Sequence, residues 1–283
     1  MSAHPALGVG RSAVVTGGAN GIGLAAAKRF AAFGMKVAIA DLDPAQLDAA
    51  AKEIAAAAPD GRAQVLTVPT DVSKKESVEA LKERAYAAFG TVDVLMNNAG
   101  RGGGGGPFEN YEGWQAVLGT NLWGVINGVQ VFAPEMIAQG TPGAIVNTGS
   151  KQGITCPPGD TAYNVSKAGL KVFTEGLQHA LRNTAGCKVD AFLLVPGWTH
   201  TGLTARQKEK PAGAWWPDQV VDMLVEAMGR GDFYIICPDN DVTRAVDNKR
   251  MAWAMGDIIE NRPPLSRWHK DYGAAFAEYL KKG

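Results

Sequence analysis

The chain has 283 residues, of which 46% are hydrophobic and 20% charged, a composition typical of a folded protein rather than a disordered one. Lysine and arginine total 28 and aspartate and glutamate total 28, so the net charge is zero. The net charge therefore does not favour binding to nucleic acid or to an anionic membrane. The N-terminal residues lack a signal-peptide pattern, and no apolar run approaches the roughly 18–20 residues that span a bilayer. We therefore expect a cytoplasmic protein.

Short β-branched runs alternate with longer helical stretches along most of the chain. Strands are predicted at 12–16, 36–40, 65–68, 92–96, 144–148, 188–195 and 233–236. Helices are predicted at 21–33, 44–58, 74–89, 111–139, 161–182 and 220–229. The alternation predicts right-handed βαβ crossovers, and the apolar strands indicate helices on both faces. The predicted fold class is α/β, a single Rossmann-like doubly wound parallel sheet of about seven strands.

Cysteines and histidines are few and widely spaced. Cys156, Cys187 and Cys237 share no CxxC spacing, and the four histidines form no HExxH or similar pattern. We therefore expect reduced cysteines and no metal site.

A glycine-rich loop, TGGANGIG at 16–23, lies between the first strand and the first helix. Glycines let the backbone turn sharply and approach a pyrophosphate, and the helix N-terminus supplies N–H groups to bind it. The spacing is Gly-x-x-x-Gly-x-Gly rather than GxGxxG, but its place between strand and helix suits dinucleotide binding. The candidate contact residues are Gly17, Asn20, Gly21, Ile22 and Gly23.

Asp41 stands at the end of the second predicted strand. A carboxylate there can accept hydrogen bonds from both ribose hydroxyls of adenosine, and it repels a 2′-phosphate. Neither Ala19 nor Leu42 supplies the cation that such a phosphate needs, so we expect NAD rather than NADP. Asp41 could instead simply cap the strand end. Asp71 and Val72, after the third strand, could flank the adenine.

Four polar residues form the candidate catalytic group: Asn121, Ser150, Tyr163 and Lys167. Tyr163 and Lys167 are four residues apart on one predicted helix, so their side chains share a face. A lysine cation beside a phenol lowers the phenol pKa from its ordinary value of about 10, which makes tyrosine a usable acid or base. Ser150 follows the fifth strand, at the sheet edge where open α/β folds bind ligands, and can hydrogen-bond a substrate oxygen.

Together these motifs resemble the short-chain dehydrogenase/reductase (SDR) family over roughly residues 11–240. The matching elements are TGGANGIG at 16–23, Asp71, NNAG at 97–100, Asn121, Ser150, YNVSK at 163–167 and PGWTHT at 196–201. The resemblance implies an oxidoreductase that transfers a hydride between NAD(H) and a secondary alcohol or ketone. The direction stays open because the same groups serve both directions.

The resemblance also implies a role for each matching residue. Tyr163 would exchange the proton with the hydroxyl oxygen, Lys167 would hold the nicotinamide ribose and lower the pKa of Tyr163, and Ser150 would orient the substrate oxygen. Asn121 would hold the water of a proton relay. Tyr163 and Lys167 would both contact the cofactor. Further implied cofactor contacts are Asn97, Asn98, Ala99, Gly100, Pro196, Gly197, Thr199 and Thr201.

Two alternatives to such an enzyme stay open. One is a catalytically silent NAD(H)-binding regulatory or scaffold protein of the same fold, which could keep the glycine loop while losing members of the catalytic group. The other is an epimerase or dehydratase, although those enzymes usually carry longer substrate domains. The family commonly assembles through the helices at 111–139 and 161–182, so we expect a homodimer or homotetramer.

Two features depart from the family pattern. The glycine tract at 102–106 follows NNAG, and we expect it to form a flexible loop beside the cofactor. Lys151, directly after Ser150, is either a contact for an anionic group of the substrate or a solvent-facing lysine.

The resemblance implies that the segment at 202–216, after PGWTHT, covers the substrate. Trp198, Trp215 and Trp216 suit a bulky apolar or aromatic substrate, or they pack this segment onto the core or a neighbouring subunit. The charges of ARQKEK at 205–210, which include Arg206 and Lys208, are predicted to face solvent.

The chain is predicted to divide near residue 240. Residues 1–240 form a dinucleotide-binding and catalytic domain, and residues 241–283 form a C-terminal extension with helices near 251–260 and 272–280. Since the extension is rich in aromatic residues, we expect it to pack on the same domain or on a neighbouring subunit, or to close the rim of the pocket.

Overall fold

Seven parallel strands form one sheet within the part of the chain that the computed structural model describes, residues 3–59, 61–204 and 209–281. The strands are β1 (Ser12–Thr16), β2 (Lys36–Asp41), β3 (Val65–Pro69), β4 (Val94–Asn97), β5 (Gly143–Thr148), β6 (Val189–Val195) and β7 (Tyr234–Ile236). Their spatial order is β3-β2-β1-β4-β5-β6-β7. The predicted α/β class and doubly wound parallel sheet are confirmed.

Helices connect the strands and cover both faces of the sheet. They are α1 (Gly21–Ala32), α2 (Pro44–Ala57), α3 (Lys75–Phe89), α4 (Tyr111–Leu118), α5 (Gly124–Ala138), α6 (Gln152–Thr155), α7 (Thr161–Arg182), α8 (Pro217–Arg230), α9 (Arg244–Ile259) and α10 (Gly273–Lys281). Successive strand residues point to opposite faces, and both faces are apolar. In β1, Val15 belongs to the core formed with α1, α2 and α8, whereas Val14 belongs to the core formed with α3 and α5.

β1 and β4 are neighbours although β2 and β3 lie between them in the chain. The chain therefore runs outward from β1 to β3, returns to the middle, and runs outward again from β4 to β7. The connections that leave the ends of β1 and β4 go in opposite directions and leave a crevice between them. Open α/β sheets bind their ligands at this point.

Most boundaries agree with the predicted ones to within one residue, and three larger differences lie within the sheet domain. β4 begins two residues later than predicted because the Gln139 side chain, rather than a neighbouring strand, hydrogen-bonds both the N–H and the carbonyl of Val92, at 3.0 and 3.1 Å. α8 begins earlier, at Pro217, whose missing N–H costs nothing in a first turn. A π-helical turn, Gly119–Trp123, interrupts the long predicted helix and separates α4 from α5.

One described helical stretch, Tyr111–Ala138 with 28 residues, is long and apolar enough to cross a membrane by length and composition alone. However, 56% of its apolar window is buried inside the protein. Val129, Phe132 and Met136 of α5 pack into the core against the sheet and α3. Its place as a core helix accounts for its apolar composition.

The C-terminal extension packs on the same chain. α9 begins at Arg244, earlier than predicted, with Thr243 as its N-cap, and it contacts α6. Trp253 of α9 is buried and packs edge-on against Phe276 of α10, with their ring centroids 5.2 Å apart. The Arg262 guanidinium lies 4.2 Å from the centre of the Trp253 ring. These aromatic contacts give the extension a small core of its own.

Asp93 ties the start of β4 to β1, and removing it should destabilise the fold. Its carboxylate is 3% exposed and accepts hydrogen bonds from the Ser12 N–H and from Arg11, both at 2.8 Å. We expect Asp93→Ala to lower the free energy of unfolding by about 3 kcal/mol, because buried donors lose their acceptor. Urea unfolding measures this loss. The exposed pair Lys28–Glu53 is the control: Glu53→Ala should cost less than about 1 kcal/mol, and equal losses would contradict the prediction.

Candidate active site

A cavity of about 990 Å³ opens at the carboxyl edge of the sheet, beside the ends of β1 and β4. Its volume lies at the upper end of the range for small-molecule and cofactor sites, roughly 300–1,000 Å³. The predicted site residues that line it are Gly17, Asn20, Gly21, Ile22, Asp41, Asp71, Val72, Asn98, Ala99, Gly100, Ser150, Lys151, Tyr163, Lys167, Pro196, Gly197, Trp198, Thr199 and Thr201. Five other predicted residues lie outside the lining: Gly23, Asn97, Asn121, Trp215 and Trp216.

Two glycines of the glycine-rich loop are required by their surroundings. Gly17 has a φ of +62°, and a Cβ there would lie 2.8 Å from the Cα of Ala99. A Cβ on Gly23 would overlap the carbonyl oxygen of Gly17, so Gly23 supports the loop from behind the cavity. The loop thus presents bare backbone and the first-turn N–H groups of α1 to the cavity. This surface fits the pyrophosphate of a dinucleotide.

Asp41 is fixed at the end of β2 by backbone donors. One carboxylate oxygen accepts from the Ala19 N–H at 3.2 Å, and the other accepts from the Leu42 N–H at 2.8 Å. Three strand spacings separate β2 from β5, which precedes Ser150, so the two ends of the cavity are about 14 Å apart across the sheet. This arrangement suits an elongated ligand that has chemically different ends.

The two asparagines of NNAG have different surroundings, and only the second faces the cavity. Asn97, the last residue of β4, is buried and donates to Asn147 at 2.9 Å, which corrects the expectation that Asn97 lines the cofactor. Asn98 donates from Nδ2 to the carbonyls of Thr16 and Gly17, each at 3.2 Å. The Thr16 hydroxyl accepts the Asn98 N–H at 3.0 Å. Asn98 therefore holds the glycine loop in place.

Tyr163, Lys167 and Ser150 meet at the other end of the cavity. The Lys167 ammonium lies 5.8 Å from the centre of the Tyr163 ring and donates to the Thr148 carbonyl at 2.7 Å. The Ser150 hydroxyl lies beside the Tyr163 phenol and lowers its pKa. α7 is capped by Asp160, whose Oδ1 accepts the Tyr163 N–H at 3.1 Å. A hydroxyl, a phenol and a cation are therefore held together on one wall.

Asn121 lies in the π-helical turn, fully buried, one layer behind this wall. Its Oδ1 accepts the Arg101 N–H at 2.8 Å, and its Nδ2 donates to the Arg101 carbonyl at 2.9 Å. Nδ2 also donates to the Ser166 hydroxyl at 3.0 Å, next to Lys167 in the sequence. The side chain thus joins the loop after NNAG to α7. π-Helical turns often occur at functional sites.

The sequence of residues 11–212 matches the family described as short chain dehydrogenase. This chain belongs to the short-chain dehydrogenase/reductase family. Its motif order, its sheet and the position of the cavity agree with that membership. The resemblance inferred from the motifs is confirmed.

SDR relatives match most of this chain. 1-Deoxy-11-beta-hydroxypentalenate dehydrogenase from Streptomyces exfoliatus is 32% identical over 265 residues, which cover 91% of this chain and 94% of that protein. An SDR from Burkholderia phymatum in complex with NAD has a TM-score of 0.80 and 33% identity, covering 92% of this chain and 97% of that one. A metagenomic SDR in complex with NADP has a TM-score of 0.66 and 30% identity, covering 81% and 97%.

Burial dominates the protonation of Tyr163 and Lys167. It raises the pKa of Tyr163; the hydrogen bond from Ser150 lowers it, and the negative charge of Asp160 raises it further. The predicted lowering of the Tyr163 pKa by Lys167 is therefore not found. Burial also lowers the pKa of Lys167 to about 8. Tyr163 is protonated at neutral pH.

The glycine tract at 102–106, which the sequence predicted to be flexible, has hydrogen bonds to its backbone. The Asp160 carboxylate accepts the N–H groups of Gly103 and Gly104, at 2.8 and 3.3 Å. The same carboxylate caps α7 at Tyr163. The glycine tract and α7 therefore share one anchoring side chain. An aspartate directly before a predicted helix is a recognisable N-cap signal, so the sequence could have indicated this residue.

One of the two predictions for Lys151 placed its side chain in solvent, and the structure contradicts it. Its side chain is 18% exposed and lies 2.6 Å from Asp247 and 3.4 Å from Asp239. Both carboxylates are distant in sequence, so no local pattern indicates the contact. Lys151 lines the cavity, but its charge is already paired.

The three tryptophans predicted on the substrate side, Trp198, Trp215 and Trp216, differ in position. Trp198 lines the cavity and is 44% exposed. The backbone N–H of Trp215 donates to the Trp198 carbonyl at 2.8 Å, and the Trp215 side chain packs against the core. Trp216 is half exposed and packs edge-on against His200. Leu203, which the sequence did not single out, also lines the cavity. Arg206 and Lys208 lie outside the described residues.

The buried Lys167 should make the stability of this SDR depend on pH. Between about pH 8 and pH 10 the folded protein releases the Lys167 proton, whereas the unfolded chain keeps it until its ordinary pKa of 10.5. The unfolded state then binds more protons, so stability rises with pH. Relative to Lys167→Met, the free energy of unfolding of the wild type should rise by about 2 kcal/mol over this window.

Urea unfolding at several pH values without cofactor measures this rise. Lys171→Met removes a partly exposed lysine one turn further along α7 and is the control. This control should retain the rise. A wild type and a Lys167→Met variant with parallel pH profiles would contradict the prediction.

Proposed function

We propose that this chain is an NAD-dependent oxidoreductase that transfers a hydride between NAD(H) and a secondary alcohol or ketone. The observation that carries the proposal is the single cavity that joins Asp41 at one end to Ser150, Tyr163 and Lys167 at the other. All four members of the candidate catalytic group are present. The catalytically silent alternative therefore has no feature in its favour.

The described residues suit a dinucleotide along the whole cavity. The loop at Gly17 and the first turn of α1 would bind the pyrophosphate, and Asp71 and Val72 would flank the adenine. Ala99, Gly100, Pro196, Gly197, Thr199 and Thr201 would contact the rest of the cofactor. When bound, the nicotinamide supplies the hydride donor or acceptor.

NAD is favoured over NADP by the charges around the ribose position. Asp41 and Asp71 line this end of the cavity, and Leu42 between them offers no cation. The cationic residues that line the cavity among the described residues are Arg101, Lys151 and Lys167, all of which follow β4 in the chain. A 2′-phosphate beside Asp41 would meet like charge without a compensating partner.

Proton transfer is assigned to Tyr163. Since its pKa is raised, the phenol holds its proton at neutral pH and can donate it to a ketone oxygen, while Ser150 hydrogen-bonds the same oxygen. Alcohol oxidation needs the phenolate and is therefore favoured at higher pH. Lys167 would hold the nicotinamide ribose, and Asn121 would hold the water of a proton relay behind it.

A bulky apolar or aromatic substrate is supported by the open side of the cavity. Trp198 and Leu203 line it there, and both side chains are about half exposed. An aromatic ring and a leucine offer area for an apolar ligand beside Tyr163.

The proposal includes a homodimer or homotetramer in the cytoplasm. Trp123, in the π-helical turn, is 57% exposed, and Val172 on α7 is 64% exposed. Large apolar side chains on these helices support assembly through the surface where the family commonly associates.

Tyr163→Phe should abolish turnover while leaving NADH binding nearly unchanged. The variant removes the proton donor but keeps the ring, so kcat should fall by about a thousandfold or more. A panel of aliphatic, aromatic and steroidal alcohols with NAD⁺ identifies the assay substrate, and NADH fluorescence measures binding. Tyr86→Phe, which removes a phenol bound to Gln139 on the outer side of the sheet, should keep full turnover. Retained turnover in Tyr163→Phe would refute the mechanism.

Asp41→Ala should shift the cofactor preference toward NADP. Loss of the carboxylate removes both the repulsion of a 2′-phosphate and the acceptor for the ribose hydroxyls, so the ratio of kcat/KM for NADP over NAD should rise about tenfold to a hundredfold. Steady-state kinetics with both cofactors measure the ratio. Asp43→Ala removes the N-cap of α2 two residues away and should leave the ratio unchanged. A wild type that is faster with NADPH would contradict the assignment.

A further inference from the structure

Lys151 joins the catalytic wall to the C-terminal extension. Its ammonium lies 2.6 Å from Asp247 on α9 and 3.4 Å from Asp239 in the loop after β7. The two carboxylates are each 6% exposed, so water screens these charges poorly. The start of α6, the loop after β7 and α9 are therefore held together by one cation.

Asp239 connects this cation to the substrate side of the cavity. Its Oδ2 accepts the Trp198 N–H at 3.1 Å, and its Oδ1 accepts the Val242 N–H at 2.8 Å. A Cβ on Gly197 would lie 2.9 Å from Asp239 Oδ2, so the backbone after β6 approaches the carboxylate closely. The position of Trp198 thus depends on the position of Asp239.

The backbone around Lys151 belongs to the catalytic wall. Ser150 precedes it, and the Ser150 hydroxyl accepts the Gln152 N–H at 3.2 Å at the start of α6. α6 lies directly on α7: a Cβ on Gly153 would lie 2.6 Å from the carbonyl oxygen of Lys167. A shift of Lys151 would therefore displace Ser150 relative to Tyr163.

We propose that Asp247 is a positioning residue for the reaction, acting through Lys151 to hold Ser150 and Trp198 in register with Tyr163. The proposal rests on the proposed function, in which Ser150 and Tyr163 meet the substrate oxygen. It gives the C-terminal extension a role in the site although no residue beyond 204 lines the large cavity within the described chain.

The charges around Asp247 explain why its loss would be felt at the cavity. A small cavity of about 40 Å³ is lined by Asp247 together with Lys151, Arg250 and Arg267. Without the Asp247 charge, these three cations would have Asp239 as their remaining carboxylate in this group. Lys151, which also lines the large cavity, would be repelled toward it.

Asp247→Asn in the full-length protein tests the proposal by two measurements. Hydrogen exchange followed by mass spectrometry should become faster in peptides that cover Ser150 to Thr155 and in those that contain Trp198. With the alcohol identified by the panel, kcat should fall about tenfold to a hundredfold, while the Kd for NADH stays within twofold. Lys151→Met should give a similar loss, and adding it to Asp247→Asn should lower kcat little further.

Asp257→Asn is the matched control. Asp257 lies on the same helix and forms a pair with Arg262 at 3.0 Å, with side chains 10% and 14% exposed. It should lower the melting temperature and speed exchange near Ser266, to whose N–H it is also bonded, but leave kcat unchanged. Equal kinetic and exchange effects in the two variants would overturn the proposal, as would unchanged exchange at Ser150.

The exchange measurement also separates the two hypotheses. Faster exchange at Ser150 and Trp198 with no turnover of any alcohol by the wild type would refute the proposed function while supporting the structural link. Turnover by the wild type with unaltered exchange and kcat in Asp247→Asn would refute the positioning role alone.

Discussion

The hydrogen bonds between the ends of β1 and β4 are the constraint on which the site depends. The Thr16 hydroxyl accepts N–H groups from Asn98 and Ala99, and Asn98 in turn donates to the carbonyls of Thr16 and Gly17. These bonds fix the glycine loop against the neighbouring strand where the connections of the sheet diverge. The crevice keeps its shape because the backbone on both sides of it is paired.

The remaining parts of the cavity are arranged around that fixed point. β2 carries Asp41 to one side, and β5 and α7 carry Ser150, Tyr163 and Lys167 to the other. Burial that suits cofactor chemistry also sets the protonation states, since a neutral phenol is favoured and a lysine charge is disfavoured away from water. The same buried environment therefore shifts the pKa of Tyr163 upward and that of Lys167 downward.

The features that could be predicted from the sequence depend on residues that lie close together in the chain. Alternating strand and helix patterns predicted the sheet, because both of its faces are apolar. The glycine loop and the Tyr163–Lys167 spacing were also recognisable, since each lies within a few residues of sequence. The same logic could not separate Asn97 from Asn98. They are consecutive residues at the end of β4, and only tertiary packing decides which of them meets the cavity.

Long-range contacts account for what the sequence did not predict. Asp239 and Asp247 are far from Lys151 in the chain, so its ion pairs follow from the way the loop after β7 and α9 pack beside α6. The glycine tract was expected to be flexible from its composition, but Asp160 binds its backbone from the start of α7. The π-helical turn at Asn121 likewise has no composition signal of its own.

The bonded glycine tract has a consequence for how the pocket can diversify. Gly103 and Gly105 have φ values of +86° and +84°, and a side chain on Gly104 would collide with Ala162, so these three positions tolerate little change. Gly102 lines the cavity, and among the described residues a Cβ there would meet only Asp160 and Leu203, at 3.6 and 4.0 Å. A side chain at position 102 would therefore reduce the cavity volume while the hydrogen-bonded backbone of the tract stays unchanged.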